Sequence, residues 1–232
     1  MYLTKLMMIN KKNIFIACDT KKISFARKII KYSKTKKINI GYKFGLEFLN
    51  SKNGRLFIST IKNKIIFLDL KLNDIPNTCV SAINAIKDLK VNYLTIHISS
   101  GLEALKMSKK VSGKMKLVGV TTLTSLDDNA LKEIGYKKNV KNLVQHQAKL
   151  AKKAKLDAIV CSAHELRLVR KIFKGEIITP GIRLHGKSND QKRVMSPKKA
   201  VTMGSDWLVI GRSITNGNIQ RNIKNLIDHL LK

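Results

Sequence analysis

Apolar residues recur along the chain in two alternating patterns, one typical of strands and one typical of helices. Amphipathic segments with apolar residues three and four positions apart are clearest at 23–32, 80–89, 140–154 and 219–231, as expected for helices that bury one face. Short apolar runs of strand length occupy 14–18, 38–42, 65–70, 93–98, 116–120, 158–162, 176–179 and 207–210. Alternation of the two patterns predicts a parallel sheet.

The number of these units favours a closed barrel. Eight strand–helix units in 232 residues fit a (β/α)8 TIM barrel, an α/β fold that often reaches this length as one domain. We expect a single domain over residues 1–232, with an N-terminal extension at 1–12. An open doubly wound sheet is the alternative. The longest irregular stretch, 181–196, is polar and charged, and such long loops are usually functional or mobile.

Charged side chains stand at the end of the third predicted strand. The segment from Asp69 to Thr78 reads D-L-K-L-N-D-I-P-N-T. Because side chains alternate faces along a strand, Asp69 and Lys71 are expected on the same side. Buried charges are costly unless they are paired, so a structural ion pair would explain the D-x-K pattern alone. The longer string, with Asp74 three residues further on, is far more specific.

This string resembles the signature of the orotidine 5'-phosphate decarboxylase family. Further signatures follow in that family's order: Ile16-Ala17-Cys18-Asp19, Gly41-Tyr42-Lys43-Phe44-Gly45, Val120-Thr121-Thr122-Leu123-Thr124-Ser125, Val160-Cys161-Ser162-Ala163, Thr179-Pro180-Gly181-Ile182-Arg183, Asp190-Gln191-Lys192-Arg193 and Ile210-Gly211-Arg212. The resemblance implies a TIM barrel that converts orotidine 5'-monophosphate to UMP. This carboxy-lyase reaction is the last step of de novo pyrimidine nucleotide synthesis, and the family performs it without a metal or an organic cofactor.

The resemblance also implies catalytic roles for the charged residues. Lys71 would protonate C6 of the pyrimidine, and Asp69 would lie beside the carboxylate that leaves. Lys43 and Asp74 would complete an alternating row of charges and contact the substrate. Asp74 and Thr78 would cross the subunit boundary into the neighbouring site, so the resemblance implies a homodimer with shared sites.

The remaining substrate contacts are implied at other strand ends. Asp19 would bind ribose hydroxyls and Thr124 would contact the pyrimidine. From the residues alone, a turn residue is the favoured interpretation of Asp19, and helix capping is the alternative for Thr124. The phosphate would be held by backbone N–H groups at a helix start and by polar side chains, including those of the 181–196 phosphate loop: Gly211, Arg212, Gln191 and Arg183.

One further motif matches a different class of protein. The P-loop pattern of nucleotide triphosphatases, G-x-x-x-x-G-K-S, is matched from Gly181 to Ser188. A P-loop leads directly into a helix whose N-terminus faces the phosphates. The residues that follow here are polar and without an apolar period, and Pro197 is the better candidate for the start of the next helix. We therefore interpret the match as coincidental.

The net charge of +31 raises the possibility of nucleic-acid binding. The basic residues are 38 Lys and 8 Arg, scattered along the chain, and aromatic residues make up 6%. Arginine is the preferred reader of bases and phosphates, and no aromatic stacking cluster is evident. We predict no specific nucleic-acid binding, whereas a positive field would attract a phosphorylated, carboxylated substrate.

Cysteine usage and apolar run lengths indicate a cytoplasmic protein without a membrane segment. Cys18, Cys79 and Cys161 are widely spaced in or beside apolar stretches, as reduced core residues of a cytosolic protein are. The N-terminus lacks the features of a signal peptide, and no apolar run reaches membrane-spanning length. The histidines show no zinc-binding spacing, so no metal site is predicted.

The main alternative is a metal-dependent relative in the same suprafamily. Keto-sugar phosphate decarboxylases and hexulose-phosphate aldolases share the D-x-K-x-x-D arrangement. The segment from Ile75 to Thr78 and the loop that carries Gln191 favour the nucleotide enzyme.

Overall fold

Eight parallel strands close into a barrel in the computed structural model, which describes residues 12–184 and 194–231. The strands are β1 (Asn13–Ala17), β2 (Asn39–Gly45), β3 (Ile65–Leu72), β4 (Tyr93–His97), β5 (Lys116–Val120), β6 (Ala158–Val160), β7 (Glu176–Thr179) and β8 (Trp207–Ile210). Each strand pairs with the next, and β8 returns to β1, where Trp207 pairs with Asn13. The predicted TIM barrel is confirmed.

Helices connect the strands and cover the outside of the barrel. They are α1 (Ile23–Tyr32), α2 (Leu46–Leu49), α3 (Gly54–Thr60), α4 (Pro76–Ile86), α5 (Gly101–Val111), α6 (Asp128–Glu133), α7 (Val140–Lys153), α8 (Leu166–Ile172), α9 (Pro197–Thr202), α10 (Arg212–Thr215) and α11 (Ile219–Leu231), with short 3-10 helices at Lys87–Leu89 and Ile98–Ser100. Within the described ranges, none of the helices combines the length and apolar character needed to cross a membrane.

The predicted helix 80–89 begins earlier than its apolar period indicated. The structure starts α4 at Pro76, whose fixed φ suits the first turn of a helix. Pro197 opens α9 in the same way, as predicted. The helices predicted at 23–32 and 219–231 have the observed bounds, because each has a regular apolar stripe from end to end.

Aromatic side chains fill the interior of the barrel near the amino ends of its strands. The rings of Phe15 and Trp207 stack with centroids 4.0 Å apart, and Tyr93 meets Phe15 edge-on at 5.2 Å. A Cβ atom at Gly41 would lie 2.6 Å from the Phe15 ring, so only glycine fits at that position of β2. This aromatic plug closes one end of the barrel and leaves the carboxyl ends of the strands to form a site.

The described ends of the predicted phosphate loop are held side by side. Ile182 and Met195 form a parallel bridge, and the N–H of Arg183 donates to the carbonyl of Met195 at 3.1 Å. The centre of the loop, including Gln191 and the P-loop match at Gly186 to Ser188, lies outside the described residues. The single domain over 1–232, its extension at 1–12 and the mobility of 181–196 stay predictions.

Candidate active site

A cavity of about 470 Å³ opens at the carboxyl ends of the strands. This is the end at which barrels of this type carry their sites. Besides apolar side chains such as Val120 and Val209, its lining contains eight of the predicted site residues: Asp19, Lys43, Asp69, Lys71, Thr124, Arg183, Gly211 and Arg212. The fold therefore brings together residues that are almost 200 positions apart in the sequence.

Four of these residues form a row of alternating charge. The ammonium of Lys43 lies 3.0 Å from a carboxylate oxygen of Asp19 and 3.4 Å from one of Asp69. The ammonium of Lys71 lies 2.9 Å from the other oxygen of Asp69. The side chains of Lys43 and Asp69 are only 12% and 15% exposed. The order Asp19, Lys43, Asp69, Lys71 gives each buried charge an opposite neighbour, which is the condition for keeping such charges in a protein.

The row keeps its two central members ionised. Burial favours the neutral form of Asp69, but Lys43 and Lys71 outweigh it and hold the pKa of the carboxyl below its usual value. Burial also disfavours the charged form of Lys43, but attraction to the Asp69 and Asp19 carboxylates outweighs the effect of burial. The pKa of the Lys43 ammonium is therefore raised. In the part of the chain that the structure describes, no three His, Cys, Asp or Glu side chains are grouped to hold a metal ion.

We expect Asp69→Asn to destabilise the protein by about 2 kcal/mol at neutral pH, because two ammonium groups lose their shared partner. The lowered pKa of Asp69 means that its contribution is fully present above the pKa of an unfolded aspartate, about 3.9. That contribution is lost as the pH falls through the folded pKa. Urea unfolding at pH 6 and pH 3 should therefore show a smaller difference between wild type and variant at the lower pH.

A suitable control is Asp88→Asn. Asp88 pairs with Arg55 at 2.7 Å, but both side chains are largely exposed, and exposed ion pairs contribute little to stability. A loss of stability in Asp69→Asn that is the same at both pH values would contradict the assigned charge state.

Lys71 occupies an irregular position in its strand. Its φ is 51°, the left-handed conformation that costs a non-glycine residue about 1 kcal/mol. The register between β3 and β4 shifts between Leu68 and Leu72, so Lys71 lies in a β-bulge. Its contact with Asp69 agrees with the expectation that both side chains face one side, but regular alternation is not the reason. Bulges that redirect a side chain are common beside active sites.

The predicted phosphate contacts lie at a second part of the cavity wall. Gly211 immediately precedes α10, whose first residue is Arg212, and the first N–H groups of a helix have no partner within it. Gly181 has a φ of 74°, a conformation that favours glycine, and it turns the chain between β7 and Arg183. Backbone donors and two guanidinium groups thus border one cavity, an arrangement suited to a phosphate.

Thr124 lines the cavity and does not cap the next helix. The carboxylate of Asp127 accepts from the N–H of Ala130 at 3.0 Å and caps α6. The alternative interpretation of Thr124 as a helix cap is therefore wrong.

Asp74 and Thr78 lie away from the cavity lining in the single chain. Both residues are exposed, and a carboxylate oxygen of Asp74 accepts from the N–H of Ile75 at 2.7 Å. The structure does not bring Asp74 into contact with Lys71. In the observed row, the fourth charge is that of Asp19, which pairs with Lys43. The sequence analysis did not predict this pair.

Sequence reasoning also missed Thr95, a fully buried residue in the middle of β4. Its hydroxyl accepts from the N–H of Lys71 at 2.7 Å and donates to Asp69 at 3.3 Å. The available signal was a hydroxyl residue inside the apolar run from Tyr93 to Ile96, since buried polar groups need partners.

Comparison with known families agrees with this geometry. A family model described as "Orotidine 5'-phosphate decarboxylase / HUMPS family" matches residues 12–222. The chain belongs to this family. The resemblance found in the sequence is confirmed, and the matched range includes each of the predicted site residues.

Curated relatives and solved structures support the assignment over most of the chain. The orotidine 5'-phosphate decarboxylase of Wolbachia pipientis subsp. Culex pipiens (strain wPip) is 46% identical over 183 residues, 76% of this chain and 80% of that protein. The one from Wolbachia sp. subsp. Brugia malayi (strain TRS) is 42% identical over 222 residues, 92% of this chain and 96% of that protein. A crystal structure of orotidine 5'-phosphate decarboxylase from Lactobacillus acidophilus superposes with a TM-score of 0.81 at 27% identity, covering 96% of this chain and 100% of that one.

Proposed function

We propose that this protein decarboxylates orotidine 5'-monophosphate to UMP, the last step of de novo pyrimidine nucleotide synthesis. The observation that carries the proposal is the row Asp19, Lys43, Asp69, Lys71 in a cavity that also has a phosphate-binding wall. Relatives at 42–46% identity bear the name of this enzyme. We propose that the protein works in the cytoplasm.

The reaction breaks the bond between C6 and the carboxylate carbon. Carbon dioxide departs and the electron pair of that bond stays on C6, where the pyrimidine offers no adjacent electron sink. The ammonium of Lys71, fixed 2.9 Å from Asp69, stabilises this developing negative charge and then delivers its proton to C6. Water returns a proton to the amine. Charge that is in place before the reaction needs no reorganisation during it, and this is usually the largest catalytic term.

Asp69 contributes in two ways. It holds the ammonium of Lys71, and its own charge, kept by the lowered pKa of the carboxyl, lies beside the substrate carboxylate. Repulsion between the two carboxylates raises the energy of the bound substrate and is relieved when carbon dioxide leaves. Lys43 fixes the opposite oxygen of Asp69 at 3.4 Å, so that the carboxylate cannot turn away from the substrate.

Binding of the remote phosphate supplies energy for this crowded arrangement. Gly211, Arg212 and Arg183 border the phosphate end of the cavity, and we propose that Gln191 joins them from the loop. Asp19 binds ribose hydroxyls and Thr124 contacts the pyrimidine. Interactions away from C6 can offset the strain at C6, which is how phosphate binding contributes to the rate.

The second candidate is metal-dependent sugar phosphate chemistry. It requires carboxylate oxygens that are available to a cation. Here the ammonium groups of Lys43 and Lys71 pair with both oxygens of Asp69. This supports a site in which lysine ammonium groups, and not a metal ion, neutralise the carboxylate.

We expect purified protein to convert orotidine 5'-monophosphate to UMP at the same rate in excess EDTA as in added Mg²⁺. The change in ultraviolet absorbance gives the rate, and chromatography identifies UMP. Absence of turnover by folded protein would contradict the proposal. Turnover of a keto-sugar phosphate that EDTA abolishes would favour the metal-dependent alternative.

We further propose that the protein is a homodimer with shared sites. Ile75 is 66% exposed between the exposed Asp74 and Thr78, and the family resemblance implies that Asp74 and Thr78 cross the subunit boundary. A two-fold interface across this segment would let Asp74 and Thr78 of each subunit enter the neighbouring cavity. Asp74 would then extend the partner's charge row beyond Lys71.

A further inference from the structure

We propose that Thr95 is a positioning residue that fixes Lys71 against Asp69. This inference rests on the proposed function for its catalytic consequence. The contacts of Thr95 stand independently of that function.

The hydroxyl of Thr95 links the backbone of Lys71 to the side chain of Asp69. It accepts the N–H of Lys71 at 2.7 Å and donates to Oδ1 of Asp69 at 3.3 Å. The same Oδ1 atom accepts from the ammonium of Lys71 at 2.9 Å. These three hydrogen bonds therefore close a ring, which runs from the N–H of Lys71 through the Thr95 hydroxyl and the Asp69 carboxylate to the ammonium of Lys71. Thr95 itself is fully buried, so its hydroxyl depends on these protein partners.

The strand register explains why a hydroxyl is needed at this position. Leu68 pairs with Leu94 and Leu72 pairs with Ile96. Three residues of β3 thus lie opposite Thr95 alone. A bulge of this kind breaks the ladder of backbone hydrogen bonds, and a buried N–H needs another acceptor. The Thr95 side chain supplies that acceptor to Lys71, whose φ of 51° persists only where the surroundings enforce it.

Loss of the hydroxyl should move the ammonium of Lys71 relative to the reacting carbon. Valine keeps the shape of threonine but cannot accept the N–H. The bulge would then relax toward a conformation with another acceptor, and the ammonium would shift with the backbone. A displacement of about 1 Å from the productive geometry can lower the rate about 100-fold. Phosphate contacts at Gly211 and Arg212 belong to other strands and would be unaffected.

The test compares Thr95→Val with Thr95→Ser, which keeps the hydroxyl. Thr179→Val is the matched control, because Thr179 is also fully buried in a strand and its hydroxyl bonds Ser205 at 2.8 Å, outside the cavity lining. Two measurements are made on each variant: kcat and KM for orotidine 5'-monophosphate, and amide hydrogen exchange of a peptide that covers residues 68–72. The exchange measurement requires no turnover.

We expect Thr95→Val to lower kcat about 10- to 100-fold with KM within about threefold, and to speed amide exchange at residues 68–72. Thr95→Ser should stay within about threefold of wild type in kcat and in amide exchange, and Thr179→Val should change neither kcat nor exchange.

A kcat for Thr95→Val within threefold of wild type would overturn the proposal, and so would a fall in kcat that Thr179→Val shares. If wild-type protein shows no turnover, the proposed function fails. Faster exchange confined to Thr95→Val would then support the positioning role of Thr95, and unchanged exchange would overturn it.

Discussion

Lys71→Ala is expected to lower kcat for orotidine 5'-monophosphate by at least about 10⁴-fold, because in the proposed mechanism this one side chain supplies both the proton and the nearest positive charge. The alanine variant should still bind UMP, since the proposed phosphate-binding residues Gly211 and Arg212 follow β8, whereas Lys71 lies in β3. Steady-state absorbance measurements at high enzyme concentration give kcat, and calorimetry gives the Kd for UMP. A large loss in kcat with a change in Kd below about tenfold is the expected combination.

The control for this variant is Lys155→Ala. Lys155 also has a left-handed backbone, with φ 56°, but it is exposed and precedes β6 at the opposite end of the strand from the cavity. Both substitutions place alanine in the same backbone conformation, so any general effect on folding is shared. If Lys71→Ala retains more than about 1% of wild-type kcat, Lys71 is not the proton donor.

The barrel itself could be predicted because its strands are short apolar runs between amphipathic helices. All eight predicted strands are present, with ends that differ by a few residues. The largest difference is at β2, which extends three residues further, to Gly45; β3 extends two residues further, to Leu72, and β6 ends two residues earlier, at Val160. These extensions depend on pairing across the sheet, as between Gly45 and Asp69, and an apolar run in one strand holds no information about the register of its neighbour.

The chemistry of the site was visible in residue types, whereas its internal contacts were not. The D-x-K pattern indicated that Asp69 and Lys71 meet. In the bulge that presents Lys71, the backbone N–H of Lys71 bonds the hydroxyl of Thr95 in the next strand, a residue 24 positions away. The ion pair of Asp19 with Lys43 likewise joins two strands. Such contacts follow from the closed arrangement of strands, which no local sequence pattern specifies.

The predicted role of Asp74 cannot be checked in a single chain, because it requires Asp74 of one subunit to enter the site of the other. The Asp74 carboxylate is exposed and outside the cavity lining of its own subunit, although Asp74 is only three positions from Lys71 in the sequence. Asp74→Ala should nevertheless lower kcat at least about 100-fold if the carboxylate enters the partner's charge row. An exposed aspartate that served its own chain only would have a far smaller effect.

Subunit hybrids give the decisive version of this prediction. Lys71→Ala and Asp74→Ala chains with different affinity tags are co-expressed, and the doubly tagged heterodimer is purified. One of its two sites combines Lys71 of the Asp74→Ala chain with Asp74 of the Lys71→Ala chain and is intact. The heterodimer should therefore recover about half of wild-type activity, although each parent is nearly inactive. Absorbance assays on the three purified species measure the recovery.

The matched control pairs Lys71→Ala with Asp69→Ala. Lys71 and Asp69 contact each other within one subunit at 2.9 Å, so every site of that heterodimer carries a defect and no activity should return. Recovery confined to the hybrid that contains Asp74→Ala would assign Asp74 to the neighbouring site. If neither hybrid recovers activity, Asp74 acts within its own chain. If doubly tagged protein cannot be isolated at all, the proposed homodimer is wrong.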